Sequence, residues 1–314
     1  MPHTLVPRAL QYFERVAQAG SIQAASRELG ISASAIHRQI TAIEDDLGEL
    51  LFEREASGMS LTPTGHHVLE LARDWRLDNA RLWSVVQADK GIEQGQIKIA
   101  AMDGMVNGFV PRLLEEIVRL YPRVQVEIEI MSPDNAVKGV LNGEVDFATV
   151  MNVAPHDNLT FHWSYDFPLG CIAAPGHSVT QKKSIDVAQA ITHPMVFQGA
   201  SLSIRQLLEA HHGWIFDRAK SSVVVNSIQL MKQLVVTGRY LAFTSELDAG
   251  PEIEAGHLCF IPLDGGDGKS AINQKFSIIS NVMIPETNIT KKIIAMSITL
   301  LQQQTTGVMP TFRA

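Results

Sequence analysis

Residues 21–40, SIQAASRELGISASAIHRQI, place hydrogen-bonding side chains on one side of a helix whose other side is apolar. Beyond Ser32, the residues Ile36, Ile40, Ile43 and Leu47 repeat at spacings of four, three and four, the period of a buried helical face. Opposite them stand Ala33, Ser34, His37, Arg38 and Thr41. Short side chains near a helix start let the backbone lie flush in a major groove, while a longer arginine reaches a phosphate or a guanine edge. Ahead of this helix, Ser21 is placed to cap a first helix, and Ala25 and Ser26 are small where two helices would cross. Gly30 supplies the freedom of a tight turn, and Ser32 caps the second helix. Taken singly, His37 is an ordinary surface histidine and Arg38 a solvated charge. Their shared face, directly after a capped turn, points to DNA.

Other chemistries find less support. The eleven histidines include the adjacent pairs His66-His67 and His211-His212, and neighbours along a helix do not converge on one face. No HExxH, GxSxG, GxxxxGK or GxGxxG pattern occurs, so neither an enzyme nor a metal or other cofactor is expected. Cys171 and Cys259 sit in the apolar strings PLGCIAA and HLCFIPL, without a nearby cation to lower a thiol pKa. Reduced, packed thiols are the expectation; a redox-sensing pair is the competing reading.

The net charge is −7, and residues 1–66 hold five arginines against eight carboxylates, a net −3. This is no general polyanion binder: any DNA contact must come from arginines at particular spots, from helix N-termini and from dimerisation. No apolar run approaches the roughly 18 residues of a membrane span, and the start MPHTLVPRAL lacks a secretory signal, so a cytoplasmic chain is expected.

The elements that must position these residues change along the chain. Residues 1–61 show dense helical periodicity, closed by LLFEREASGMSLTPTG. This string reads as a two-stranded wing over 51–54 and 59–61, turning through Ser57 and Gly58, with Arg54 as its only cation. Residues 62–90 read as one long helix, with Thr62 as N-cap and Pro63 in first position. Along it Val68, Leu71, Trp75, Leu82 and Val85 form a near-heptad stripe, interrupted at Asp78, that suits pairing with a second copy. After GIEQGQ, strands such as 97–99 and 124–130 alternate with helices at 109–120, 133–142, 202–212 and 227–237, the mark of an α/β domain with a largely parallel sheet. The expected fold is α+β overall.

The run from Leu10 through LTPTG resembles the N-terminal domain of LysR-type transcriptional regulators nearly end to end, including the pair Tyr12-Phe13, Gly20-Ser21, AIHRQI, IEDDLG and LFER. The resemblance implies a winged helix-turn-helix over 1–61, a linker and dimerisation helix over 62–90, and an effector-binding domain over 91–314. It implies contacts to a double-stranded DNA operator from Ser32, Ala33, Ser34, His37, Arg38 and Arg54, and Ser21 and Thr41 complete the candidate set. Homodimers or homotetramers, and RNA polymerase as a further partner, belong to the same expectation. The family usually carries Gln-Pro where Ala33-Ser34 stand, and often a basic residue where Ala56-Ser57 stand. Losing that glutamine removes a base-reading amide.

Residues 95–300 resemble the family's periplasmic-binding-protein-like domain by layout: GQIKIAA, VPRLLEEIVRLYP, LNGEVDFATV and NSIQLMKQLVVTGRYLAF fall in order. The implied chain path gives lobe one as about 95–163 plus 267–300, and lobe two as about 164–266. Ligands in such folds sit between lobes, where strand ends and helix N-termini meet. Candidate positions are Met102, Asp103, Gly104, Ser132 and Thr149 on one side, and Phe197, Gln198, Ser201 and Ser203 on the other. Serines before helices are also plain caps. The expected effector is an organic acid or amino-acid-like molecule. Asp103 suggests an amino or cationic group on it, or an aspartate turned away to cap its own helix. A solute-binding protein with no DNA role would suit the C-terminal two-thirds alone.

Overall fold

Two serine caps and three left-handed glycines, Gly20, Gly30 and Gly48, start and stop the first helices of the chain. The computed structural model of the protein describes residues 5–55, 58–88, 95–219, 222–264 and 272–307, in two units, Met1–Ile92 and Glu93–Ala314. The first unit holds α1 (Arg8–Ala19), α2 (Ile22–Leu29), α3 (Ala33–Leu47), β1 (Phe52–Glu55), β2 (Gly58–Leu61) and α4 (Pro63–Ala88). Ser21 Oγ accepts from Ala24 N at 3.2 Å, and Ser32 Oγ from Ala35 N at 3.3 Å. Gly30 turns the chain between α2 and α3 with φ +65°, a conformation costly for any residue with a Cβ. Phe13, Val16, Ala25, Ile36, Ile40 and Leu51 close the core. Leu47, expected on the buried face, is instead exposed: the last turn of α3 runs beyond the helices it packs on, and residues 45–48 are all exposed.

The strands β1 and β2 pair antiparallel from Phe52↔Leu61 to Glu55↔Gly58, as a wing should. Residues 56–57 of its turn, which include the Ala56-Ser57 departure, lie outside the described residues. Glu44 Oε1 accepts from Leu51 N at 2.8 Å, and Met59 N donates to Gly20 O at 2.9 Å, so the wing is fastened to α3 and to the α1–α2 turn. Thr62 caps α4 as expected, accepting from Gly65 N at 2.9 Å while donating to Leu50 O at 2.7 Å. Val68, Leu69 and Ala72 are buried, and Arg76 Nε meets Glu14 Oε1 at 3.3 Å. Val68 therefore belongs to the core of its own unit and leaves the stripe; α4 has more to pack against than its sequence suggests. Leu71, Trp75, Leu82 and Val85 remain 45–59% exposed.

The second unit opens with β3 (Gly95–Ala101), α5 (Phe109–Leu120), β4 (Val124–Ile130), α6 (Pro133–Leu141) and β5 (Phe147–Met151). The long β6 (Leu159–Ala173) leads to α7 (Val187–Ala190), β7 (Met195–Gln198), α8 (Ser203–His212), α9 (Ile215–Arg218), β8 (Ser222–Val225), α10 (Ile228–Val236), β9 (Leu241–Ser245), α11 (Glu246–Glu254) and β10 (Cys259–Pro262). Then β11 (Asn273–Asn281) and α12 (Asn288–Gly307) return to the start. The strands form one sheet in the order β4-β3-β5-β11-β6-β9-β7-β8, with β10 on β6. The pairs β3–β4 and β3–β5 are parallel, as are β7–β8 and β7–β9, each the product of helical crossovers, while β6 and β11 run antiparallel between the two halves. The result is a two-lobed α/β unit.

Strand β6 serves both lobes. It pairs with β11 from Leu159 to Pro168 and with β9 from Leu169, so the changeover falls at 168/169 where the sequence reading puts 163/164. No turn residue marks it because the strand does not break. The expected return at 266/267 lies outside the described residues. In the first lobe one core gathers Ile97, Leu113, Ile117, Phe147, Phe276 and Ile293 and a second gathers Ala100, Val140, Val150 and Ile279; the core of the other lobe gathers Val196, Phe197, Leu208, Met231, Val235 and Phe243.

Candidate functional site

The first two turns of α3 present Ser34, His37 and Arg38 to solvent, with Ser32 exposed at the cap, opposite buried Ile36 and Ile40. Ser32 Oγ and Ser34 Oγ lie 3.3 Å apart, and Thr41 Oγ1 lies 3.3 Å from His37 Nδ1, which steadies the ring. Ala33 and Thr41 are half-buried at the edge of this face, and Ser21 spends its oxygen on the α2 cap. Arg38 makes no ion pair among the described residues. The Arg54 side chain lies outside the described residues; its backbone pairs with Met59.

The acidic charge of α3 is segregated. The first turn of α3 carries no acid, whereas Glu44, Asp45, Asp46 and Glu49 crowd its far end. The N-terminal half, with its helix dipole and Arg38, is therefore the part suited to a polyanion.

In the second unit a cavity of about 270 Å³ opens between the lobes. Of the sequence candidates, Met102, Asp103, Gly104, Ser132, Ser201 and Ser203 line it. Thr149, Phe197 and Gln198 do not: all three are buried, Thr149 and Phe197 within their strands and Gln198 as the last residue of β7. Thr149 is buried inside β5, which continues to Met151, and it is Met151 that reaches the cavity. Phe197 stacks edge-on against Phe216 at 4.9 Å, and Gln198 Nε2 donates to Phe243 O at 2.6 Å. Ser132 stands before α6 without capping it through its side chain.

Asp103 is neither free in the cavity nor a cap on its own turn. Its Oδ2 accepts from Ser227 Oγ at 2.9 Å and Gln229 N at 3.1 Å, so it caps α10 of the opposite lobe. Gly104 is needed beside it: a Cβ there would sit 2.1 Å from Asp248 Oδ1. Asn107 Nδ2 continues the seam to Gln229 Oε1 at 2.5 Å and to Glu252 Oε1 at 3.0 Å. Glu252 in turn accepts from the wholly buried Lys232 Nζ at 2.8 Å.

Sequence reasoning missed Asp248, Gln274, Met131 and Asn226, which also line the cavity. Asp248 is buried, and desolvation pushes its carboxyl above the ordinary range against hydrogen bonds from Ser245 and Thr244. The spacing Ser245-x-x-Asp248 at a helix start was a readable signal. So was Gln274, a polar residue in phase with Phe276 and Ile278 on one strand.

Among the described residues no group of three or more metal-ligating side chains comes together, and no helix is long and apolar enough to cross a membrane. Ser280, His162 and Glu286 do meet, but Ser280 Oγ and Glu286 Oε1 both lie 2.8 Å from the same ring nitrogen, Nε2. A hydrolytic triad sets its carboxylate on the other nitrogen. Burial alone pushes the Cys171 thiol up to about 12, which keeps it protonated and unreactive; Cys259 is half-buried, and both are free.

The profile described as bacterial regulatory helix-turn-helix protein, lysR family, matches residues 7–66, and the LysR substrate binding domain matches residues 90–273. The RuBisCO operon transcriptional regulator of Allochromatium vinosum is 26% identical over 259 residues, 82% of this chain and 85% of that protein. The transcriptional regulator ClcR of Pseudomonas putida is 38% identical over 142 residues, 44% and 47% of the two chains. In fold, a full-length OxyR from Pseudomonas aeruginosa superposes with a TM-score of 0.69 at 18% identity, covering 96% of each chain. Full-length CbnR in complex with its target DNA gives 0.57 at 22% identity, covering 94% and 98%. The helix-turn-helix, its wing and the two-lobed unit thus carry the same assignment as the matched profiles: the chain belongs to the LysR family, DNA-binding transcriptional regulators with an effector-binding domain.

Proposed function

We propose that the exposed face of α3 reads a double-stranded operator in the major groove, through Ser32, Ser34, His37 and Arg38, with Ala33 allowing close approach. Ser21, Thr41 and Arg54 flank that contact. Two copies pair through α4, as a homodimer or as the half of a homotetramer. A small organic acid or amino-acid-like effector occupies the interlobe cavity and biases one lobe arrangement, which changes operator binding or bend and the access of RNA polymerase in the cytoplasm. The working division is 1–61, 62–90 and 91–314.

The observation that carries this reading is the exposed, acid-free start of α3, where Arg38 stands without an ion-pair partner among the described residues. A bidentate arginine–guanine contact contributes about 1–3 kcal/mol per half-site. Support for pairing comes from the exposed Leu71, Trp75, Leu82 and Val85, a stripe too apolar to be left in water. The test compares three versions of the chain in its host by chromatin immunoprecipitation and transcript profiling. Arg38→Ala should lose the wild-type sites. Ser201→Trp, which plugs the cavity mouth, should keep site occupancy yet lose the transcript response to growth conditions. Arg38→Ala on unchanged sites, or Ser201→Trp with a wild-type response, would contradict the proposal.

A further inference from the structure

We propose that the cavity ligand is a small, largely apolar molecule carrying a protonated amine, held at Gln274 Oε1 in a site whose ionisable side chains, Asp103 and Asp248, are both acids. This rests on the reading of the interlobe cavity as the effector site.

Among the described residues lining the cavity, Asp103 and Asp248 are the ionisable ones, and no lysine, arginine or histidine joins them. Lys232 is close behind Asp248, but its ammonium is taken by Glu252 at 2.8 Å and Asp248 O at 2.9 Å. A ligand with nothing but a carboxylate would be desolvated with no cationic side chain in the lining to balance it, which is strongly disfavoured.

Gln274 supplies the positive requirement. It is 1% exposed, its Nε2 donates to Ser203 Oγ at 3.2 Å, and its Oε1 has no hydrogen-bond partner. A buried acceptor left empty costs about 1–3 kcal/mol, which an N–H from a ligand would relieve.

The helix N-termini around the cavity are unequal. Asp103 and Ser227 cover that of α10, and Ser245 and Asp248 cover that of α11. The first residue of α6 is Pro133, without an N–H, and Asp134 already lies in its first turn. Only α8, of these four, has neither a side-chain cap nor an acid in its first turn. A carboxylate on the same molecule would go there, beside Ser201, with the amine at Gln274. Met102, Met131, Met151 and Ile228 leave an apolar space for the rest. Amino acids with apolar side chains, and their amines, are the class that fits.

Calorimetry on the full chain tests this with two matched sets: L-leucine, 3-methylbutan-1-amine and 4-methylpentanoate; and L-phenylalanine, 2-phenylethylamine and 3-phenylpropanoate. In at least one set the amine-bearing members should bind about tenfold or more tightly than the acid. Gln274→Leu should weaken them about tenfold, and Gln274→Glu, which can still accept and lets Ser203 donate, should tighten them. An acid binding as tightly as its amine partners, weaker amine binding by Gln274→Glu, or no binding in either set overturns the proposal. Acid binding abolished by Ser201→Trp would keep the cavity and sink only the amine. Amine binding untouched by Ser201→Trp would sink the cavity reading itself.

Discussion

Replacing Lys232 with methionine removes a buried ammonium while keeping an unbranched side chain of similar length. Lys232 has no exposed surface, and its Nζ serves Glu252 Oε2 at 2.8 Å and Asp248 O at 2.9 Å. The change leaves Glu252, itself buried, with the single hydrogen bond from Asn107 at 3.0 Å. Breaking one side of a buried ion pair costs about 3–5 kcal/mol, because the remaining charge has no solvent to return to. Methionine adapts to the vacated space, so little of the loss comes from a void. For a unit of this size each kcal/mol lowers the melting temperature by about 2–4 °C, so the variant should melt about 6–20 °C below wild type. Thermal melting by circular dichroism at neutral pH would compare wild type, Lys232→Met, Glu252→Gln and the double variant. The double variant carries no bare charge and should regain most of the loss. A single variant melting within about 2 °C of wild type, or a double variant no more stable than Lys232→Met, would refute the argument.

Two further outcomes follow from the same reasoning. Trp75→Glu places a charge in the exposed stripe of α4 but leaves the buried Val68, Leu69 and Ala72 untouched, so light scattering should find a folded monomer; an intact dimer would remove α4 as the pairing surface. Desolvation holds the Asp248 carboxyl above its ordinary range, so the folded chain binds that proton more tightly than the unfolded one. Its contribution to stability therefore falls as pH rises from the ordinary carboxylate range through the raised value, and levels off above it. Asp248→Asn should flatten the decline in melting temperature over that window, and an unchanged pH profile would mean that Asp248 does not titrate there.

What was legible in the sequence is local. The caps at Ser21, Ser32 and Thr62, the left-handed Gly30 and the isoleucine spacing of α3 each depend on residues within a few positions of one another. Helix α4 shows the limit of period alone. Val68 and Leu71 fall in the same apolar stripe, yet one is buried on the first unit and the other is exposed, and nothing in the spacing says where the domain core ends. The cavity shows a second limit. Thr149 and Gln198 lie near strand ends in sequence, but its lining is decided by where β5 and β7 stop and by Gln274 and Asp248, which arrive from distant strands and helices. Asp103 was readable as unusual; that it caps a helix 124 residues further on was not.

Recognition of a DNA sequence through α3 by a symmetric pair of chains can be read from selection out of random-sequence duplexes, with the full chain and Arg38→Ala run in parallel at one salt concentration. Wild type should enrich an inverted repeat, with half-sites about 10–10.5 base pairs apart or a multiple of that. Arg38→Ala should fail to enrich the same repeat. Enrichment of one sequence with equal affinity by both chains, or of none by wild type, would contradict recognition through α3.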